Sequence, residues 1–191
     1  MDNDSMTVPR NQPITALPGA GQPVLRLALI LGLPGVGYLS ANFLPRAFLY
    51  VLYVAVLAAA AYFDFRERRV PNIVSYPAIL FALGAMQRTP GGWQSALLGA
   101  LIAAAIMLAP VLIYGAQRAG IGDVKLALFI GLVLGLTSAL FWAALIAFAT
   151  AAIVGLIGVI LGRLTFKSSL AFGPFMALGA GGVLAYLMLS A

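Results

Sequence analysis

Residues 126–162 read LALFIGLVLGLTSALFWAALIAFATAAIVGLIGVILG, 37 residues without one charge. As a single helix this stretch would run roughly 55 Å at about 1.5 Å per residue. The hydrocarbon core of a bilayer is only about 30 Å thick. The stretch therefore folds into a hairpin, with its turn near Gly135-Leu136-Thr137-Ser138. Its first arm is short, which fits a helix that starts inside the membrane and not at its surface.

The rest of the chain agrees with lipid as the main solvent. Of 191 residues, 63% are hydrophobic and 8% charged, and the mean hydropathy is +1.05. Soluble domains sit nearer half apolar and a quarter charged. Crossing segments are expected at 23–41, 45–63, 72–87, 93–114, 124–138, 139–161 and 170–190. The first is the weakest, because it holds Arg26, Pro34 and three glycines. We read it as a crossing that keeps Arg10 on the cytoplasmic side. The expected fold is an all-α polytopic transmembrane helix bundle, a six-helix core plus this extra N-terminal hydrophobic segment.

Residues 1–22 are polar and read as a flexible leader. They are not a secretory signal, since no short apolar core with a small-residue cleavage site follows. The domain reading is leader 1–22, extra hydrophobic segment 23–44 and membrane domain 45–191.

With no cysteine and no histidine, disulfides, cysteine zinc sites, haem ligation and histidine catalysis are all excluded. No metal or cofactor is expected. The net charge of +6 is spread over short loops, so the partner it implies is the lipid bilayer and not nucleic acid. Arg66, Arg68 and Arg69, then Arg118 and Lys125, then Arg163 and Lys167 occupy alternate loops. Two spans separate each loop from the next, so all three face one side, which the positive-inside rule makes cytoplasmic. Gly131/Gly135 and Gly158/Gly162 have spacings that permit close helix contact, though such spacings also arise by chance.

Beyond the leader only Asp64, Glu67 and Asp123 are acidic. Glu67 sits among arginines and reads as a solvated loop charge paired with one of them. Asp64 ends the second span and Asp123 opens the fifth, from the same side. Taken singly, Asp123 is an ordinary helix cap after a glycine turn, and Asp64 a charge that ends a span. Together they place two carboxyl groups at similar depth on one face, and ionisable groups there mark a functional site. A helix C-terminus disfavours the carboxylate at Asp64, whereas a helix N-terminus with Lys125 nearby favours it at Asp123. A close pair cannot comfortably both ionise. One protonated and one ionised carboxyl would activate water and protonate an amide leaving group, with Asp123 starting as base and Asp64 as acid, or with one proton shared. Gly120 and Gly122 would let the backbone bend and offer N–H groups to an extended peptide.

These residues resemble a known family. Asp64-Phe65-Arg66-Glu67-Arg68-Arg69-Val70-Pro71-Asn72, Gly120-Ile121-Gly122-Asp123-Val124-Lys125 and Ala171-Phe172-Gly173-Pro174-Phe175 are similar to the ordered motifs of the A24 prepilin peptidases, membrane aspartyl proteases of the GxGD type. The resemblance covers about 45–190. It implies that Asp64 and Asp123 are catalytic, and that a short leader is cut from type IV pilin-like precursors on the cytoplasmic side of a prokaryotic inner membrane, just before a hydrophobic helix. Lys125 carries over as a motif residue that either stabilises Asp123 or contacts substrate. Pro71 and Asn72, like Gly173 and Pro174, are motif or groove candidates that serve equally well as helix starts. Longer members carry a cytoplasmic domain with paired cysteines linked to N-methylation. This chain has no cysteine and no such insertion before Asp64, so methyl transfer is not expected. The short form resembles the enzymes of tight-adherence (Flp) pili or the archaeal preflagellin peptidases. The alternatives are a proton- or cation-coupled transporter and a non-catalytic pilus or secretion assembly subunit. A substrate groove is expected between the spans ending at 63 and starting at 124; the oligomeric state is left open.

Overall fold

The computed structural model describes residues 22–67, 71–115, 120–162 and 171–190. Arg10, Arg68, Arg69, Arg118, Arg163 and Lys167, on which much of the charge argument rests, lie outside the described residues. Among those described there are seven α-helices and no strand: α1 Gln22–Phe43, α2 Arg46–Glu67, α3 Asn72–Ala85, α4 Gly92–Tyr114, α5 Ile121–Leu134, α6 Ser138–Ile160 and α7 Gly173–Leu189. A 3₁₀ turn, Met86–Arg88, links α3 to α4. The expected all-helical membrane bundle is therefore what the chain forms. Three helices, α2, α4 (Gly92–Ile113) and α6, are long and apolar enough to cross a bilayer, and Leu27–Phe43 and Gly173–Leu189 are shorter apolar helices.

Two rows of helices build the bundle. In one, α1 packs on α3, α3 on α5 and α5 on α4; in the other, α2 packs on α7 and α7 on α6. Contacts of α5 with α7 and of α2 with α3 join the rows. The joint is aromatic: the Tyr53 ring of α2 meets Phe81 of α3 edge-on at 6.3 Å and Phe129 of α5 at 5.8 Å. Such pairs are worth about 0.5–1.5 kcal/mol beyond their buried area. Outward faces stay apolar, with Leu112, Ile113, Phe141 and Ile160 exposed, as expected where lipid and not water lies outside.

Small residues set the helix spacing. A Cβ on Gly131 would lie 2.4 Å from the Gly99 carbonyl oxygen, and one on Gly37 only 2.2 Å from the Phe81 carbonyl oxygen. Lipid gives helices no hydrophobic drive to associate, so close backbone approach of this kind supplies the packing energy. The Gly131/Gly135 spacing is thus a genuine contact between α5 and α4. Gly158/Gly162 is different, since Gly162 has φ +67 with open space around it. It terminates α6 as a left-handed residue just past the helix end.

The hairpin in the long apolar run falls where expected, with a shifted register. Gly135, at φ +66, stops α5, its N–H bonding the Gly131 carbonyl, and the Leu136 N–H donates to Ser95 of α4. The expected span 124–138 is observed as 121–134, and 139–161 as 138–160. The glycine stop ends α5 four residues early, and the helix recovers the length by starting three residues before Val124.

Candidate active site

Every helix end that follows or precedes a motif lies at the same end of the bundle. The hairpin order puts the C-terminus of α2 beside the N-termini of α3, α5 and α7. On α2, Tyr53, Leu57, Ala60 and Asp64 are all buried, at spacings of four, three and four. They form one helical stripe facing the bundle interior, with Tyr53 and Ala60 towards α3 and α5, and its last member is a carboxylic acid, 6% exposed. The helix does not stop there, as the sequence suggests, but runs on to Glu67, so Asp64 belongs to the buried face of the last turn. Glu67 and Arg66 are exposed. The described partner of Arg66 is the Tyr62 hydroxyl at 2.8 Å, and no ion pair to Glu67 is found among the described residues.

Asp64 is held by α7. The Gly173 N–H donates to its Oδ2 at 2.9 Å, linking residues 109 apart in sequence. Gly173 is the first residue of α7, with Pro174 second, where the missing proline N–H costs nothing. A Cβ on Gly173 would sit 2.5 Å from that same Oδ2 and 3.0 Å from Cγ. Gly173 is therefore more than a helix start: only glycine leaves room for the carboxylate its N–H binds. That signal was legible in Phe172-Gly173-Pro174, but the target of the N–H was not.

Asp123 sits in the first turn of α5. Gly120 is the N-cap and Asp123 the third helical residue, its N–H bonded to the Gly120 carbonyl at 3.1 Å. Asp123 is thus not the cap itself. Asp123 is half-buried, at the same end of the bundle as Asp64. The reason for glycine at 120 also differs from the sequence reading. Its backbone, φ −68 and ψ 121, is open to any residue. A Cβ there, however, would stand 3.3 Å from Asp123 Oδ2. Gly120 gives the carboxylate space, while the left-handed residue near this turn is Gly115 at φ +84. Gly122 lies within the first turn of α5, half-buried.

Lys125 and Asn72 bring the first two motifs together. The Lys125 ammonium donates to Asn72 Oδ1 and stands 4.6 Å from the centre of the Tyr76 ring. This pins α5 to the start of α3, and no bond from Lys125 to Asp123 is found among the described residues. Pro71 caps α3: its carbonyl accepts the N–H groups of Val74 and Ser75 and the Ser75 hydroxyl. Pro71 and Asn72 are thus a helix start, and Asn72 also reaches across to the GxGDxK segment. Together α2, α3 and α5 enclose about 10 Å³ around Ala60, Ser75 and Lys125, room for about one water.

Gly99 of α4 packs against Gly131 and Gly135 of α5. Counting from that pin, the end of α4 overtops Asp123 by about five residues, roughly 7 Å.

The sequence profile of the Type IV leader peptidase family matches residues 51–160, more than half of the chain. The chain belongs to this family. Among curated proteins, it is 34% identical over 141 residues to the prepilin leader peptidase/N-methyltransferase of Bacillus subtilis (strain 168), covering 72% of this chain and 54% of the relative. This leader-peptidase family member thus spans about half the length of that relative. No solved structure matches it. The family match includes both Asp64 and Asp123, whereas α1 and α7 lie outside it.

Proposed function

We propose that this protein is an aspartyl endopeptidase that removes short leader peptides from type IV pilin-like, Flp-type precursors, with Asp64 and Asp123 as its catalytic pair. The observation that supports the reading is that two acidic residues, Asp64 held by the Gly173 N–H and Asp123 in the first turn of α5, lie at one end of a bundle with this family's signature. In this reading the two carboxyl groups approach closely enough that both cannot comfortably ionise, and the resting pair holds one proton. The ionised member takes a proton from water as the oxygen attacks the scissile carbonyl. The protonated member donates to the substrate, and the proton taken from water leaves on the amine when the C–N bond breaks. Asp123 starts as base and Asp64 as acid. Gly173 is a positioning residue that fixes one Asp64 oxygen and leaves the other to the reaction. Gly120 keeps space beside Asp123, and Lys125 with Asn72 holds α3 against α5.

The carboxylate end faces the cytoplasm in this reading. Arg66 and Lys125 belong to it, and the loops at that end also carry Arg68, Arg69, Arg118, Arg163 and Lys167 in the sequence. The peptidase domain is residues 45–191, and α1, packed along α3, is a further crossing outside it. Methyl transfer, part of the relative's name, is not proposed for a chain that has no cysteine.

Purified protein in detergent, mixed with a precursor peptide spanning leader and helix start, tests the reading with no gradient or nucleotide present. Cleavage lost in both Asp64→Asn and Asp123→Asn supports it. Wild-type-like cleavage by either variant removes that residue from the mechanism. No cleavage by wild-type protein favours a transporter or an assembly subunit.

A further inference from the structure

α4 and α6 stand on either side of α5 and α7 without packing along each other, and between them lies a cavity of about 60 Å³. Every residue lining it is apolar. Its floor comes from the two helices that start at the candidate site. On α5, Ala127 and Ile130 line it, four and seven residues beyond Asp123, hence on the same helical face. On α7, Met176 and Ala180 line it, three and seven residues beyond Gly173, again on one face. The stripes that carry the carboxylate and the Asp64-binding N–H therefore run directly into the cleft. Phe172 closes the upper end, its ring 5.2 Å from Phe148 of the α6 wall.

We infer that the apolar helix of the substrate lies along this cleft, approaching sideways from the bilayer between α4 and α6, with side chains that reach into the cavity. The inference rests on the peptidase reading above. A membrane-anchored helix lying in the cleft ends where the lining ends, at Phe172. The segment preceding that helix then leaves the hydrocarbon at the level of Asp64 and Asp123, the position a cut just before an apolar helix requires. The lining favours a helix over a lipid chain. Ala103 on α4 and Ala143, Ala144 and Ala147 on α6 keep the walls low, as close approach of a third helix backbone needs. The helix contacts also supply binding energy remote from the bond that breaks.

Filling the cleft separates its role from that of the site. Ala144→Phe and Ala103→Leu add bulk to opposite walls, and Ala149→Phe adds it to an exposed position of α6 outside the lining. Each variant is given two substrates: the membrane-anchored precursor, and a water-soluble peptide with the same leader and cleavage site but no helix. KM for the anchored precursor rises about tenfold in both cleft variants and stays put in Ala149→Phe, while the soluble peptide is cut by all with unchanged kcat and KM. An unchanged KM for the anchored precursor overturns the inference and leaves the cleft to acyl chains, with the peptidase reading intact. Equal losses on both substrates also overturn it, as damage to the site. If wild-type protein cuts neither substrate, both readings fall. Should the soluble peptide be cut too slowly to measure, a photoreactive benzophenone side chain at position 144 decides: it links to the anchored precursor, and the absence of a link while that precursor is still cut overturns the inference.

Discussion

Gly173→Ala is the most exacting substitution this structure offers. The added methyl would stand 2.5 Å from Asp64 Oδ2 and 3.1 Å from Asp64 Cβ, so either the carboxylate swings away or α7 retreats from α2. In the first case the 2.9 Å bond from the Gly173 N–H is lost, worth about 0.5–1.5 kcal/mol while Asp64 is protonated. In the second, overpacking costs about 1–3 kcal/mol of stability. The catalytic consequence is larger than either suggests, because moving a reacting group by about 1 Å can cost on the order of 10²-fold in rate. We therefore expect kcat to fall about 100-fold, equivalent to about 2.7 kcal/mol of barrier, with KM within about threefold of wild type. Precursor cleavage in detergent, with thermal unfolding measured on the same preparation, is the assay. Gly37→Ala is the control, since its methyl would meet the Phe81 backbone at 2.2 Å where α1 packs on α3. It should lower stability to a similar degree and leave kcat within a few-fold. Wild-type turnover by Gly173→Ala, or equal loss in the control, would refute the positioning role of this glycine.

Further outcomes follow from the same geometry. The rate of precursor cleavage should fall at both low and high pH, since one carboxyl must be protonated and the other ionised; a profile with a single ionisation would count against a shared proton. Asn72→Ala and Lys125→Met should each weaken the fold, and a double-mutant cycle read by thermal unfolding should give a coupling of about 0.5–1.5 kcal/mol. Additive losses would mean the contact contributes nothing. Gly131→Leu should prevent the tight seating of α5 on α4, where even a Cβ meets Gly99 and Ala100 backbone within 2.5 Å. Loss of the folded species on size-exclusion chromatography is the expected readout, and a monodisperse, active variant would contradict the packing described. Mass spectrometry of the mature product made in the presence of a methyl donor should show an unmethylated N-terminus.

How far the sequence reaches can be seen helix by helix. Hydropathy alone decides that the chain is a helical membrane bundle, because a backbone in lipid has to satisfy its own hydrogen bonds. A charge-free run longer than a bilayer is thick requires the α5–α6 hairpin, and Gly135 supplies the stop. Scarcity did the rest for the site: when only three acids lie outside the leader, loop parity suffices to bring two of them to one face. Sequence could not say that α2 packs chiefly on α7 and less on its neighbours in the chain. That choice depends on which small faces fit, and nothing periodic in the sequence encodes it. Hence the bond from Gly173 to Asp64, the reach of Lys125 to Asn72 across 53 residues and the placing of the apolar cleft between α4 and α6 were decided by tertiary packing. Composition sets the solvent and the number of crossings, which are properties of single segments; the partners of each carboxylate depend on pairs of segments, and only the folded bundle brings those together.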